Sequence, residues 1–317
     1  MVDGARRVEF RDFWPGFDLE DNFLLSALSV LGPVTSGADA DLCFFSSFGD
    51  SHQSFVGPKV QVIGENRRPD FRQADFAIGY DRSLDERFLR YPLWAWDVDT
   101  SGLLRPFGEN GKADPAEFCA FVSTNPDNPV RNALFEQLSR HRFVHAGGPV
   151  FNNSPGPVAP RSSGSWRTSK IDYLADFRFT IAAENGSYPG YTTEKLVDAF
   201  LAGSVPVYWG DPLVDCDFNA RAFLNYDDHG SVSRTVQAVV ELNDDAPAWQ
   251  RMRSEAPMDE PTWNRTGNPA RLTEFLEGLG SATRRPGQHR RWQRRAAIGR
   301  AQQMARRAGL DRLRRLV

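Results

Sequence analysis

The sequence is poor in the residues that build metal centres and covalent cross-links. Three cysteines (Cys43, Cys119 and Cys216) and five histidines are spread over 317 residues. Three thiols cannot all pair, and each stands in an apolar or mixed run. Reduced, partly buried cysteines in a reducing compartment are the expectation. No Cys/His group has the spacing of a zinc site. Long apolar runs are missing as well, so no membrane-spanning helix is expected. The opening MVDGARRVEF has neither an apolar core nor a small-residue cleavage site. No signal peptide and a cytoplasmic location follow as expectations.

What is present suits a globular chain. Hydrophobic residues make up 40% and aromatics 12%, enough for real cores, and the length has room for two domains. The net charge of −3 hides an asymmetry. From Arg284 onward twelve arginines stand against one aspartate, a local +11 that leaves −14 on the rest. Acidic body and basic tail are therefore different objects.

The stretch from Phe179 to Pro212, FTIAAENGSYPGYTTEKLVDAFLAGSVPVYWGDP, reads as strand, loop, helix, strand. Phe179, Ile181 and Ala183 alternate as in a strand. Glu184-Asn185-Gly186 and Pro189-Gly190 are turn chemistry. Thr192 or Thr193 can cap a helix that carries Glu194 in its first turn, where a carboxylate suits the dipole. Leu196, Val197, Phe200 and Leu201 share one side, and Gly203 ends the helix. Val205 to Trp209 is a buried β-type run. A polar loop aimed at a helix N-terminus is a natural anion site.

Upstream, strands are expected at 7–13, 41–45, 59–63 and 74–80, with a helix over 19–31. Alternation of this kind predicts a parallel sheet, and the fold class is read as α/β. Glu65 directly follows the 59–63 strand, where open α/β sheets place their functional residues. After a Gly/Pro/charge-rich connector at 101–117, a second α/β domain opens with a strand at 118–122. An amphipathic helix then begins at Arg131, whose cation opposes the helix dipole unless an anion is near. Residues 147–167 read as a long loop, and helices are expected at 231–242 and 271–279. The domains expected are 1–105, 106–283 and a basic amphipathic tail at 284–317. In the tail Trp292, Ala296, Ile298, Ala301, Met304, Ala305, Ala308, Leu313 and Leu316 interleave with arginine. That pattern suits an anionic membrane surface; docking on the acidic body, or oligomerisation, is the alternative, and nucleic acid ranks last.

Several of these segments resemble one family. Glu184-Asn185, then Tyr191-x-Thr193-Glu194-Lys195-Leu196-x-x-Ala199, then Ala202-Gly203-x-Val205-Pro206-Val207-Tyr208-x-Gly210, is similar to the signature of the α1,3/1,4-fucosyltransferases, glycosyltransferase family 10, of bacterial type. GENRRPDFRQADFAIGYDRSLDERFLRYPLW resembles its second block. Ser123-Thr124-Asn125-Pro126 to Arg131-Asn132 resembles a third, with one residue inserted between Ser and Asn, and residues 218–225 a fourth. The likeness is good over roughly residues 60 to 225 and loose before that. Val144-His145-Ala146-Gly147 stands where animal members tend to carry Asp-x-x-Gly.

The resemblance implies a GT-B architecture, two Rossmann-like domains facing across a cleft. It implies an inverting transfer of L-fucose from GDP-L-fucose to a glycan hydroxyl, with N-acetyllactosamine-like acceptors and α1,3 linkage favoured. Glu65 takes the position of the catalytic base and Arg131 that of the residue on the donor diphosphate. Lys195 can join Arg131 on the diphosphate, Glu194 can accept from ribose hydroxyls, and Asn185 and Tyr191 can orient the sugar and phosphates. The family is similar to folds that use no bound metal, so neither Asp97-Val98-Asp99 nor Asp39-Ala40-Asp41 is read as a metal site, and no cofactor is expected. The alternatives are a GT-B enzyme with another nucleotide sugar, or a silent sugar-nucleotide-binding protein at a membrane surface. The partners expected are GDP-L-fucose, a glycan acceptor and an anionic membrane on the inner face. No nucleic acid is expected, and an oligomer is left open.

Overall fold

The computed structural model describes residues 6–37, 39–154, 158, 166–282 and 288–314. Two compact units are present. The first comprises Met1–Gly79, Ser83–Tyr91 and Pro269–Val317; the second comprises Tyr80–Arg82 and Pro92–Asn268. The expected boundary at 105 is thus replaced by one at Tyr91/Pro92, and the chain returns to its first unit at Pro269. Neither step leaves a local mark in sequence, because both are set by which sheet a segment packs on.

The first unit is built on strands β1 (Arg6–Arg11), β2 (Val34–Ser36), β3 (Leu42–Phe45), β4 (Lys59–Val62), β5 (Phe76–Gly79) and β6 (Phe88–Arg90). Their order is β2-β1-β3-β4-β5-β6, and every pairing is parallel. Parallel strands covered on both faces are largely apolar, and Cys43, Phe44, Val60 and Ile78 are fully buried, although β4 also buries Lys59 and Gln61. Helix α1 (Phe23–Ser29) starts where the Asn22 side chain accepts from Leu24 and Leu25 N–H and turns Phe23, Leu24, Ala27 and Leu28 inward.

The second unit carries β7 (Glu117–Phe121), β8 (Val144–Ala146), β9 (Phe177–Ala183), β10 (Val205–Trp209) and β11 (Leu224–Asn225) in the order β11-β10-β9-β7-β8, again all parallel. Its helices are α2 (Pro129–His141), α3 (Trp166–Leu174), α4 (Glu194–Leu201), α5 (Tyr226–His229), α6 (Val232–Asp244), α7 (Ala246–Arg253) and α8 (Glu260–Thr266). In both sheets the strand order reverses once, between β1 and β3 and between β7 and β9. These are two Rossmann-like units, and in such sheets the crevice at the reversal is where ligands sit.

Two expectations change here. The segment 147–167 is not loop to its end, because α3 begins at Trp166; residues 155–157 and 159–165 lie outside the described residues. The tail does not present all its apolar residues outward. After α9 (Pro269–Ala282), the helix α10 (Gln288–Arg314) buries Trp292 and Ala296 in the first unit. Arg295 pairs with Asp75 at 2.8 Å and Arg306 with Asp50 at 3.1 Å. A side chain at Gly299 would fall 2.6 Å from Gln53 Cβ, so glycine permits the close approach. Basic helix meeting acidic body is the docking alternative, and it takes one face of the tail; Arg291, Arg294, Ile298 and Met304 remain exposed. The side chains of Ala305 and of 307–317 lie outside the described residues. Among the described residues no helix is long and apolar enough to cross a membrane.

Candidate active site

The second unit's reversal point is formed by the carboxyl ends of β7 and β9, and the chain leaving each carries chemistry. After β9 comes Glu184, with no exposed surface. Its carboxylate accepts from Thr193 N–H at 2.7 Å, from Thr193 Oγ1 at 2.6 Å and from Lys195 Nζ at 3.2 Å. The N-terminus of α4 is therefore capped by the preceding strand. Thr193 stands at the N-cap position as expected, but its hydroxyl makes no cap bond because Glu184 takes it. Burial pushes the Glu184 pKa up and Glu194 adds to that, while Lys195 and the Thr193 bonds oppose it.

Lys195 also lies 3.7 Å from the Glu194 carboxylate and donates to Thr193 Oγ1 at 3.0 Å. One cation thus meets two carboxylates at a helix start. Helix α4 is held from behind by Asp198, fully buried, which receives Arg167 at 2.7 Å and Lys170 at 2.9 Å. A buried carboxylate with two cations on it resists loss of either, because the remaining charge would be left in an apolar surrounding.

The chain leaving β7 supplies Asn125, Asn128 and Arg131. Asn128 caps α2 by accepting from Arg131 N–H at 3.0 Å, and its amide donates to the Glu184 carbonyl at 2.6 Å. That bond ties the ends of the two strands together across the reversal point. The Arg131 guanidinium, 1% exposed, donates to Asn185 Oδ1 at 3.0 Å and to the Asn125 carbonyl. Its Nε is buried with no partner among the described atoms. Burial draws the Arg131 pKa down and the Glu184 charge draws it back up. A buried cation with an unspent N–H, two residues into a helix, asks for an anion.

Glycines shape the floor. Gly190 has φ of +87°, and a Cβ there would stand 2.8 Å from the Tyr80 carbonyl. A Cβ at Gly210 would stand 2.8 Å from Glu184 Cβ. Asp211, fully buried, fastens the loop by accepting from Gly190 and Leu213 N–H, both at 2.8 Å.

Arg131, Asn185, Glu194 and Lys195 thus belong to one cluster at one reversal point. Tyr191 does not open into it: the ring is 2% exposed and packs edge-on against Tyr80 at 4.9 Å, a core position. Glu65 lies in the first unit, exposed, in the loop after β4, with its carbonyl accepting from Arg67 N–H at 2.6 Å. Sequence reasoning passed over Glu184, Asn128 and Asp211, whose bonds join segments far apart in the chain. Their signal is position, directly after a strand or at a helix start, and for Glu184 also its place at the opening of the family signature. Among the described residues no three His, Cys, Asp or Glu side chains converge as a metal site would need.

Residues 8–96 match the family described as the alpha-(1,3)-fucosyltransferase FucT N-terminal domain, and residues 112–253 match glycosyltransferase family 10 (fucosyltransferase), C-terminal part. The chain belongs to glycosyltransferase family 10. Both reversal points fall inside the matched segments. Among relatives, the alpha-(1,3)-fucosyltransferase FucT of Helicobacter pylori is 29% identical over 257 residues, covering 69% of this chain and 52% of that protein. A cattle 4-galactosyl-N-acetylglucosaminide 3-alpha-L-fucosyltransferase 9 is 30% identical over 130 residues, 39% of this chain and 33% of that one. The chain thus spans about half the length of the Helicobacter relative. A crystal structure of an alpha1,3-fucosyltransferase superposes with TM-score 0.72 at 23% identity, covering 90% of this chain and 92% of that one. A second, with GDP-fucose, gives 0.68 at 22% identity over 90% and 93%. At that identity the likeness speaks for the fold, two Rossmann-like units of GT-B type.

Proposed function

We propose that this family 10 chain is an inverting glycosyltransferase that moves L-fucose from GDP-L-fucose to a hydroxyl of an N-acetyllactosamine-like glycan, with α1,3 linkage. The observation that carries the reading is the buried Arg131 guanidinium, one N–H unspent, at the reversal point of the second unit where Lys195 meets Glu184. Two cations and a helix N-terminus in a crevice of this kind suit a diphosphate.

In this reading the acceptor oxygen attacks the anomeric carbon as the bond from that carbon to the β-phosphate oxygen breaks. The hydroxyl proton passes to the Glu65 carboxylate, and GDP departs with the electron pair of the broken bond. Arg131 and Lys195 take up the charge that grows on the leaving phosphate. Glu194 accepts from the ribose hydroxyls, and Asn185, already bonded to Arg131, orients the sugar. Tyr191 is given a packing role under the loop. A single base with no nucleophilic partner fits one displacement, and hence inversion.

The exposed Arg291 and Arg294 side of α10 is offered to an anionic membrane in the same proposal. Sedimentation with anionic but not neutral vesicles tests it, and equal recovery in both fractions removes it. The catalytic reading is tested by a donor panel. GDP release from GDP-fucose, GDP-mannose and UDP-sugars is followed with N-acetyllactosamine present. Turnover of GDP-fucose alone is expected, and turnover of another donor in its place would overturn the fucose assignment.

A further inference from the structure

Strand β4 lies inside the first sheet, paired with β3 on one side and with β5 on the other. Interior strands of a parallel sheet favour apolar side chains, yet β4 carries the amide of Gln61, only 8% exposed. An amide taken out of water costs free energy unless it finds a partner. Gln61 finds one outside the sheet. Its Oε1 accepts the Asp70 N–H at 2.7 Å, and Glu65 stands in the segment that this bond closes.

That segment is fixed at both ends. It leaves the sheet at Ile63, whose N–H still donates to the Ile78 carbonyl at 2.9 Å. It returns at Asp70, where every kind of polar atom is engaged. The N–H goes to Gln61, the carbonyl accepts from Gln73 and Ala74 N–H at 3.0 and 2.9 Å, and the carboxylate accepts from Arg72 Nε and Gln73 Nε2, both at 2.9 Å. Pro69, just before it, has its φ locked by the ring. Within the loop the Arg67 N–H turns back to the Glu65 carbonyl at 2.6 Å.

Behind Asp70 stands a buried frame. Gln73 Oε1 meets His52 Nε2 at 2.9 Å, and His52 Nδ1 lies 2.6 Å from the Asp12 carboxylate. The His52 ring, 4% exposed, lies flat on Phe45 with centroids 3.9 Å apart. Bonds running from Asp12 through His52 and Gln73 to Asp70 hold the target of Gln61 in place. What they determine together is the course of residues 64–69. Glu65 is exposed, with no core packing to fix it, and the backbone that carries it decides where its carboxylate can reach.

We infer that Gln61 is a positioning residue for the proton transfer: by closing the loop onto β4 it sets the place of Glu65. The inference rests on the reading of Glu65 as the base. A group that takes a proton must first be in reach of it, and a clamp rooted in an interior strand gives an exposed loop residue the rigidity of the sheet. With the loop tied at Ile63 alone, Glu65 would sample positions from which the acceptor hydroxyl is out of range.

The test is a double-mutant cycle between Gln61→Met and Glu65→Gln in the full chain. Methionine keeps the length of the side chain and removes the acceptor. Fucose transfer to N-acetyllactosamine and GDP affinity are measured for both single variants and for the pair. Gln61→Met is expected to lower kcat by about tenfold or more, since a displacement of about 1 Å can cost that much. KM for GDP-fucose and the GDP dissociation constant should stay within about twofold. Added to Glu65→Gln, the same change should alter kcat by less than about twofold, because a clamp that acts through Glu65 has nothing left to place. Gln61→Asn, polar but one methylene short of Asp70, should behave alike and serves if the methionine variant does not fold. An equal loss in both backgrounds would make Gln61 merely structural and overturn the inference. So would Gln61→Met at the unaltered rate while Glu65→Gln is slow, an outcome that leaves the transferase reading standing. Full activity in Glu65→Gln would instead remove the base, and this role for Gln61 with it. If no acceptor is fucosylated, hydrogen exchange decides the clamp separately. Faster exchange confined to residues 64–70 in Gln61→Met keeps the clamp while the transferase reading falls, and unchanged exchange removes it.

Discussion

Glu184 takes both the backbone N–H and the hydroxyl of Thr193, nine positions along the chain, at 2.7 and 2.6 Å. The end of one strand thereby fixes the start of the helix whose first turn carries Glu194 and Lys195. Removing the carboxylate leaves the two Thr193 donors without their acceptor and takes from Lys195 one of the two carboxylates it meets. Glu184→Ala is expected to cost about 2 kcal/mol or more in urea unfolding, because two buried donors left unsatisfied are dearer than the bonds lost. Glu184→Gln, which keeps one acceptor oxygen for Thr193 N–H, should cost less. A change under about 0.5 kcal/mol in both would mean that α4 does not depend on this cap.

Arg131 and Lys195 should separate from the stability effect when GDP binding is titrated by calorimetry. Lys195→Ala is expected to weaken GDP by about tenfold or more, the loss of one charge-assisted contact to phosphate. Arg131→Lys keeps the charge but loses the planar fork that reaches Asn185 and Asn125. It too should weaken GDP. Unaltered dissociation constants in both variants would take these residues off the diphosphate.

Gly210 admits no side chain. A methyl group there would stand 2.8 Å from Glu184 Cβ and 2.9 Å from the Tyr208 hydroxyl. Gly210→Ala is expected to lower stability by about 1–3 kcal/mol through overpacking and to disturb the cap from below. A melting temperature equal to that of the unaltered chain would show that the loop can yield.

Asp12 in the first unit, which accepts from His52 N–H at 2.8 Å and from Ser51 N–H at 3.0 Å, predicts a pH dependence. Burial alone would raise the Asp12 pKa, but the bonds from His52 and Ser51 outweigh it and bring the group to about 2, against 3.8 ordinarily. The folded state therefore binds this proton less readily than the unfolded chain. The stability it contributes is present above about pH 4 and is lost as pH falls toward 2. Its size is of order 2 kcal/mol. Asp12→Asn should lose that amount at pH 7 and show a flatter stability profile between pH 4 and 2. An unchanged slope in that window would remove Asp12 as its source.

How much of this was legible depended on whether a feature is local. Phe179 to Pro212 yielded β9, α4 and β10 because alternation, turn residues and helical spacing follow one another without a break. The first sheet was legible in β1, β3, β4 and β5, while its β2 and β6, and β8 of the second sheet, three residues each, are too short to show a period. Arg131 was placed on α2, but that helix opens at Pro129 with Asn128 as cap, which turns the dipole argument toward a buried cation in the first turn. The partnership of Asn128 with Glu184 spans 56 residues, and nothing in either neighbourhood announces it. Tyr191 sat in a functional motif yet is packed on Tyr80, since motif residues serve the core as well as the ligand. The tail's arginines suit a lipid surface or the acidic body equally well by composition, and Arg295 and Arg306 meet Asp75 and Asp50 on the body. Composition gives the sign of a helix's charge and not the partner that takes it.

In the proposed reaction the second unit holds the nucleotide sugar, and Glu65 in the first takes the acceptor's proton. The measurement that tests this most directly is fucose transfer by Glu65→Gln, with GDP affinity determined on the same preparation. The account predicts a GDP dissociation constant within about twofold of the unaltered chain and a kcat lower by about 100-fold or more, the scale of a lost general base. Transfer at the unaltered rate, with GDP still bound, would contradict it.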